Sequence, residues 1–265
     1  MNVHLYATDE SVFRLLQQLP EKEQVSVTAI IVPQNREHTK KADMLVKRSG
    51  DIPVYVQTRT GWPKSKLPDS DIAVSWLYSQ IIPPRILNTY HYGILNMHGG
   101  KIPQYRGANV LQWAIINGDT DLGVTWHTMV EKIDAGPIWK ESLIPISIED
   151  NALYLRELLI KEGIRTFPQS WSDCINPEKT GRIPNLAEGR YWPPRKPKDG
   201  RIYPRMTIKQ VKDMIRALPE PWPKSTIKVG NLWMEIDSVS VLPIENSVPY
   251  ETDNHQVIYL QLSRE

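Results

Sequence analysis

One cysteine in 265 residues removes whole classes of chemistry at the outset. Cys174 cannot close an intramolecular disulfide, and without a Cys/His cluster it offers no zinc or iron–sulfur spacing. A reduced, cytoplasmic setting and no metal are the expectation. Excess charge is lacking too. Lys and Arg total 32 against 30 Asp and Glu, a net +2, which provides no field for holding a polyanion, so nucleic acid is not an expected partner. No apolar run approaches the ~20 residues needed to span a bilayer, and MNVHLYATDESV lacks the basic start and apolar stretch of a signal peptide. The chain is therefore expected to be soluble, without membrane insertion. Internal repeats and low-complexity tracts are also missing.

What is present is alternation. At 40% hydrophobic residues the chain can bury a sizeable core in one domain plus a smaller appendage. Asn2–Ala7 is short and apolar. Asp9 then stands as an N-cap for Val12, Leu15, Leu16 and Leu19 at helical spacing, and Pro20 stops that helix. Val25–Val32 and Ile72–Tyr78 are nearly continuous β-branched or apolar runs, the pattern of strands buried on both faces of a parallel sheet. Between them lie a basic helical stretch, Thr39–Arg48, and Ile52–Val56. Pro83 and Pro84 set a turn or helix start. Gly93–Met97, Val124–Val130 and Ile138–Ile146 read as strands, and Asn109–Ile116 and Asn151–Ile164 as helices. This order predicts an α/β fold, Rossmann-like, with an open, mostly parallel sheet and flanking helices.

After Trp171 the composition turns to Pro, Gly, Arg and Lys. The expected division is a main domain over 1–175, an extended connector over 176–204 shaped by its prolines, and a small unit over 205–265. In that last unit Thr207 and Gln210 form a capping box for a helix carrying Ile208, Val211, Ile215 and Leu218. The strand-like pieces Ser225–Val229, Leu232–Val241 and Gln256–Leu262 follow it, making the unit β-rich.

Chemistry concentrates in ILNMHGGKIPQYRGANVLQWAIIN, residues 94–117, and VTWHTMVEKIDAGPI, residues 124–138. Asn96 and His98 are two apart at the end of a predicted strand, so both point to one face, near the strand ends where open α/β sheets bind ligands. Gly99 and Gly100 let the backbone turn sharply and a ligand come close. An Asn-x-His pair alone is more often a satisfied polar strand end than a catalytic pair, and IDAGP alone is good turn chemistry. Their combination with PQYRG carries the inference.

The pattern Asn96, His98, Pro103, Tyr105, Arg106, Gly107, then Gly123, Val124, Thr125, His127, then Asp134 and Gly136, resembles the folate-dependent formyltransferases. That family includes methionyl-tRNA, glycinamide ribonucleotide and sugar N-formyltransferases. The resemblance implies that Asn96 donates an amide N–H to the formyl oxygen, that His98 takes the proton from an attacking amine, and that Asp134 orients and charge-stabilises His98 or relays protons. Those demands suit attack on a formamide carbon, which needs an oxyanion donor and a proton carrier. It also implies 10-formyltetrahydrofolate as co-substrate, bordered by Gln80, Ile81, Ile82, Val130, Glu131, Lys132 and Ile133. Ile81 and Ile82 after a buried strand suit a flat apolar slot.

Other residues keep two readings. Lys101, in HGGK, resembles the sugar-directed branch, yet a solvated lysine explains it as well. Tyr191, Trp192 and Arg195 would stack on a base or clamp a phosphate, or simply anchor the connector; Tyr105 and Arg106 are further candidates for substrate contact. His127 reads as structural rather than catalytic, and Trp113 and Trp126 as core. His4, His38, His91 and His255 default to surface or packing, and Lys40, Lys41, Lys47 and Arg48 to a solvated helix face. The branch resemblance implies a nucleotide-linked amino-deoxy sugar as acceptor and a homodimer, with methionyl-tRNA formyltransferase, glycinamide ribonucleotide formyltransferase and a non-catalytic folate-binding protein of the same fold as alternatives.

Overall fold

Hydrophobic periodicity resolves into fourteen strands and six α-helices in the computed structural model, which describes residues 1–8, 10–18, 25–34, 39–58, 61 and 66–263. Asp9, Leu19, Pro20 and His38 lie outside the described residues, as do the side chains of Lys40 and Lys41. In chain order the first half holds β1 (Asn2–Ala7), α1 (Val12–Leu16), β2 (Ser26–Pro33), α2 (Thr39–Arg48), β3 (Val54–Gln57), β4 (Ile72–Trp76), α3 (Pro84–Leu87), β5 (Ile94–His98), β6 (Tyr105–Gly107) and α4 (Val110–Ile116). The second half holds β7 (Asp121–Thr128), β8 (Ile138–Pro145), α5 (Ala152–Ile175), β9 (Arg190–Trp192), β10 (Arg201–Ile202), α6 (Ile208–Arg216), β11 (Thr226–Val229), β12 (Leu232–Ser240), β13 (Ser247–Glu251) and β14 (Val257–Leu262).

Seven strands form one sheet in the order β3-β2-β1-β4-β5-β7-β8. The pairs from β3 to β5 are parallel, and β7 joins β5 antiparallel. This is the expected open, mostly parallel α/β sheet. Several bounds differ from the periodicity. β7 begins at Asp121 and ends at Thr128, and α5 continues eleven residues beyond Ile164, through Pro168, to Ile175. Packing sustains that extension: Phe167 and Trp171 on this stretch are fully buried, and tertiary contact outweighs the local cost of a proline. The short strands β6 and β13 had no legible pattern, β13 because Pro249 interrupts it.

The chain divides into two compact units. The first comprises Met1–Arg106, Gly123–Ser142 and Ile160–Arg190; the second comprises Gly107–Leu122, Leu143–Leu159 and Tyr191–Glu265. Within the second unit, the capping box at α6 is formed as expected, Gln210 N donating to Thr207 Oγ1 at 3.0 Å and Thr207 N to Gln210 Oε1 at 2.8 Å. Its five-stranded sheet runs β10-β11-β12-β14-β13. Segment 176–204 carries β9, β10 and two short 3-10 turns.

Register explains how the first unit sorts polar from apolar side chains. One row across the sheet reads Tyr6, Ser75, Asn96, His127, and the next reads Ala7, Trp76, Met97, Trp126. Successive residues face opposite sides, so the first row is polar and the second apolar. Trp76 and Trp126 stack at 5.9 Å between centroids against the Gly163–Phe167 stretch of α5, where the Trp126 indole N–H donates to the Gly163 carbonyl at 3.1 Å.

On the polar side, His4 Nδ1 meets the Tyr90 hydroxyl at 2.9 Å, and Tyr90 meets Tyr6 at 2.7 Å. Burial pushes the His4 pKa from 6.5 down to about 4, against the raising influence of the Pro68 carbonyl and Asp69. Because the unfolded chain protonates His4 near 6.5 and the folded one only near 4, its contribution to stability is full above 6.5. It is lost as pH falls through that window. Urea midpoints measured from pH 7 to 4 should therefore fall, and fall less in His4→Gln; equal slopes for the two proteins would count against this assignment.

Candidate active site

Strand pairing brings Asn96 and His98 together with a third side chain that the sequence reading set aside. His127 lies directly opposite Asn96 in the β5–β7 register and is fully buried. Its Nδ1 lies 3.1 Å from the Thr128 carbonyl, and its Nε2 lies 3.0 Å from Asn96 Nδ2. A carbonyl only accepts and an amide nitrogen only donates. His127 is therefore the Nδ1–H tautomer, accepting one amide hydrogen of Asn96 on Nε2. That bond uses one amide hydrogen of Asn96 and leaves the second for another acceptor.

His98 is pinned from the far side. Its Nε2 donates to the Tyr105 main-chain carbonyl at 2.5 Å, and Nδ1 faces Asp134 Oδ2 at 3.5 Å. Asp134 Oδ1 lies 3.4 Å from His127 Nε2, so one carboxylate stands between two imidazoles. Each ring's other nitrogen is committed to a backbone carbonyl. The consequence for proton transfer is direct: in His98 the nitrogen beside Asp134 is the one able to gain or lose a proton, since Nε2 is held as a donor. Tyr105 thus holds His98 from the side opposite Asp134, a contact the sequence reading did not include.

Local backbone chemistry puts these groups in place. Thr125 Oγ1 donates to the Gly100 carbonyl at 2.8 Å, holding the turn after His98. Asp134 has a left-handed backbone, φ 47°, unusual for a residue with a side chain and concentrated at functional sites. The turn closes because Gly136 has no Cβ; one there would lie 1.9 Å from the Thr128 carbonyl oxygen. The carboxylate thus reaches His98 on β5 and His127 on β7.

A formyl transferase family model matches residues 7–170, more than half of the chain. The chain belongs to the formyl transferase family. Solved structures similar to it include an N-formyltransferase from Helicobacter canadensis in complex with folinic acid and dTDP-3-aminofucose. That structure has 18% identity and a TM-score of 0.70, with 98% of this chain and 99% of that one covered. Methionyl-tRNA formyltransferase from Clostridium thermocellum matches with 18% identity, a TM-score of 0.61 and 100% of both chains. A HypX variant from Aquifex aeolicus matches with 17% identity and a TM-score of 0.65 over 98% of this chain, which spans 43% of the HypX length. At such identities the likeness is one of fold.

The remaining expected site residues fall into three groups. Ile81, Val130 and Ile133 are exposed apolar side chains, Glu131 and Lys132 are exposed, and Ile82 is instead buried in a core cluster with Tyr6 and Tyr90. Gln80 Nε2 reaches the Gln34 carbonyl at 3.5 Å. Next to them, Gln57 donates through Nε2 to the Ile81 carbonyl at 3.0 Å and accepts on Oε1 from the Tyr78 hydroxyl at 2.6 Å, fixing the loop after β4. Tyr105 and Arg106 are buried and Lys101 half-buried. In the second unit, Trp192 packs its ring 4.9 Å from Trp113, Arg195 lies 5.8 Å above Trp113, and Tyr191 is exposed. Trp113 is half-buried rather than core.

Alternation along β7 was the signal for His127. Val124 and Trp126 are apolar while Thr125 and His127 are polar, so period two already placed His127 on the polar face. Among the described residues, no group of three or more His, Cys, Asp or Glu side chains is placed to hold a metal ion, and no helix is long and apolar enough to cross a membrane.

Proposed function

We propose that this chain is an N-formyltransferase that moves the formyl group of 10-formyltetrahydrofolate to the primary amine of a nucleotide-linked amino-deoxy sugar. The observation that carries the formyl-transfer reading is the Asn96 amide held by His127 beside the His98–Asp134 pair. Family membership supports it. For the acceptor, support comes from the Helicobacter canadensis enzyme, solved with a folate and a nucleotide amino sugar and matched along nearly its whole length. The domain over 1–175 is the catalytic one, with a connector over 176–204 and a small unit over 205–265; the enzyme works in the cytoplasm as a homodimer.

In this reading, 10-formyltetrahydrofolate supplies a formyl carbon bound to a nitrogen able to leave. The second amide hydrogen of Asn96 receives the negative charge that builds on the formyl oxygen. His98 Nδ1 exchanges a proton with the acceptor amine, and Asp134, 3.5 Å away, offsets the charge that appears on the ring. Ile81, Val130 and Ile133 provide apolar cover for the flat folate ring, and main-chain groups of the fixed loop after β4 read its edge.

Incubation of the purified protein with 10-formyltetrahydrofolate and a panel of nucleotide-linked 3- and 4-amino-deoxy sugars tests the proposal. Mass spectrometry should find one formyl group gained by a member of the panel. Methionyl-tRNA formyltransferase is the second reading, favoured by the full-length match to the Clostridium thermocellum enzyme, and formylation of methionyl-tRNA with every sugar inert would select it. The folate assignment has its own check. Gln57→Leu leaves the Ile81 carbonyl without its donor, which should raise KM for 10-formyltetrahydrofolate about fivefold at nearly constant kcat. An unchanged KM would detach that loop from folate binding.

A further inference from the structure

Arg106 is 7% exposed, and its Nε finds no hydrogen-bond partner. Among the described residues it takes part in no ion pair and no ring contact. Half-buried Arg216 is provided for: it pairs with Asp213 at 2.8 Å and donates to the Ser147 and Asp150 carbonyls at 2.9 and 2.6 Å. Arg195, whose Nε and Nη2 also find no hydrogen-bond partner, has the face of the Trp113 ring beneath it. A guanidinium cannot shed its proton to escape burial, and withdrawing one from water without a counter-charge is costly. Such a group is retained where an anion arrives to complete it.

Its place in the fold says what that anion does. Arg106 is the middle residue of β6 and follows Tyr105, whose carbonyl holds His98 Nε2. An anion seated on Arg106 would anchor its carrier one residue from the group that orients the proton-transferring ring. Guanidinium presents a planar fork of donors matched to two phosphoryl oxygens.

We infer that Arg106 binds the diphosphate of the acceptor, an inference that rests on the nucleotide-linked acceptor proposed above. The anion thereby holds the amine in register with His98. A carboxylate of the folate tail is the other source of a fitting anion, and the test separates the two.

Thermal unfolding of the full chain is followed for wild type, Arg106→Met and Arg106→Lys, without ligand and with inorganic pyrophosphate or thymidine, uridine or guanosine diphosphate. Ligand-free Arg106→Met should melt no lower than wild type, because it loses an uncompensated buried charge. Pyrophosphate should raise the wild-type Tm by about 2–4 °C and leave that of Arg106→Met unmoved, with Arg106→Lys between them. In turnover, Arg106→Met should raise KM for the nucleotide sugar about ten- to a hundredfold and leave KM for 10-formyltetrahydrofolate unchanged. A lower ligand-free Tm in Arg106→Met with the pyrophosphate shift intact would overturn the inference. So would a rise in KM confined to the folate. If no amino sugar is formylated while pyrophosphate still protects wild type and not Arg106→Met, the anion site stands and the acceptor reading fails.

Discussion

Replacing His98 by Asn should lower formyl transfer by about a hundredfold or more, and replacing Asn96 by Ala should do so by a similar factor, with folding intact in both. Asn at 98 keeps a polar side chain but ends at the δ position, short of the Tyr105 carbonyl that His98 Nε2 meets at 2.5 Å. It cannot accept and return a proton beside Asp134. The loss should therefore appear in kcat, with little change in KM for either substrate. Ala at 96 removes the amide hydrogen proposed to meet the formyl oxygen and leaves His127 Nε2 without the donor it meets at 3.0 Å. Single-turnover rates and circular dichroism on both proteins make the check, and wild-type rates in both would remove this site from the chemistry.

Trp126→Ala should destabilise the fold by about 3–5 kcal/mol, the usual cost of truncating a fully buried tryptophan. The ring is entirely shielded from solvent, stacked on Trp76 and 5.2 Å from Phe167. Its N–H serves both the Gly163 carbonyl and the Thr166 hydroxyl at 3.1 Å. Truncation opens a cavity under the strand whose other face carries His127, and withdraws that donor from both groups. Urea unfolding should show a lower midpoint at unchanged m-value, with Trp126→Phe losing less. A loss under about 1 kcal/mol would mean that the Trp76–Trp126 layer collapses freely around the gap.

Much of this was legible before any coordinates. The apolar runs at 25–32 and 72–78 read as strands because a sheet covered on both faces leaves no polar alternation, and neither is an edge strand: β2 is second and β4 central in the order of seven. The capping box at Thr207 was legible because its two bonds are local, spanning three residues. Helix α5 was read only to Ile164 from its apolar periodicity, whereas the burial of Phe167 and Trp171 that sustains it to Ile175 depends on residues far away in the chain.

By itself, the sequence determined the order of strands and helices that builds the seven-stranded sheet and the placing of Asn96 and His98 on one face, since those follow from side-chain periods of two and 3.6 residues. Motif and spacing also singled out Asp134. Only the tertiary structure decided that His127 stands against Asn96, that Tyr105 holds His98, and that Asp134 lies between the two rings. Each of these depends on strand register or on a turn folding back over the sheet, and contacts between residues distant in sequence leave no periodic trace. The unpartnered Nε of Arg106 is of the same kind, because a missing partner is seen only once the neighbouring residues have taken their places.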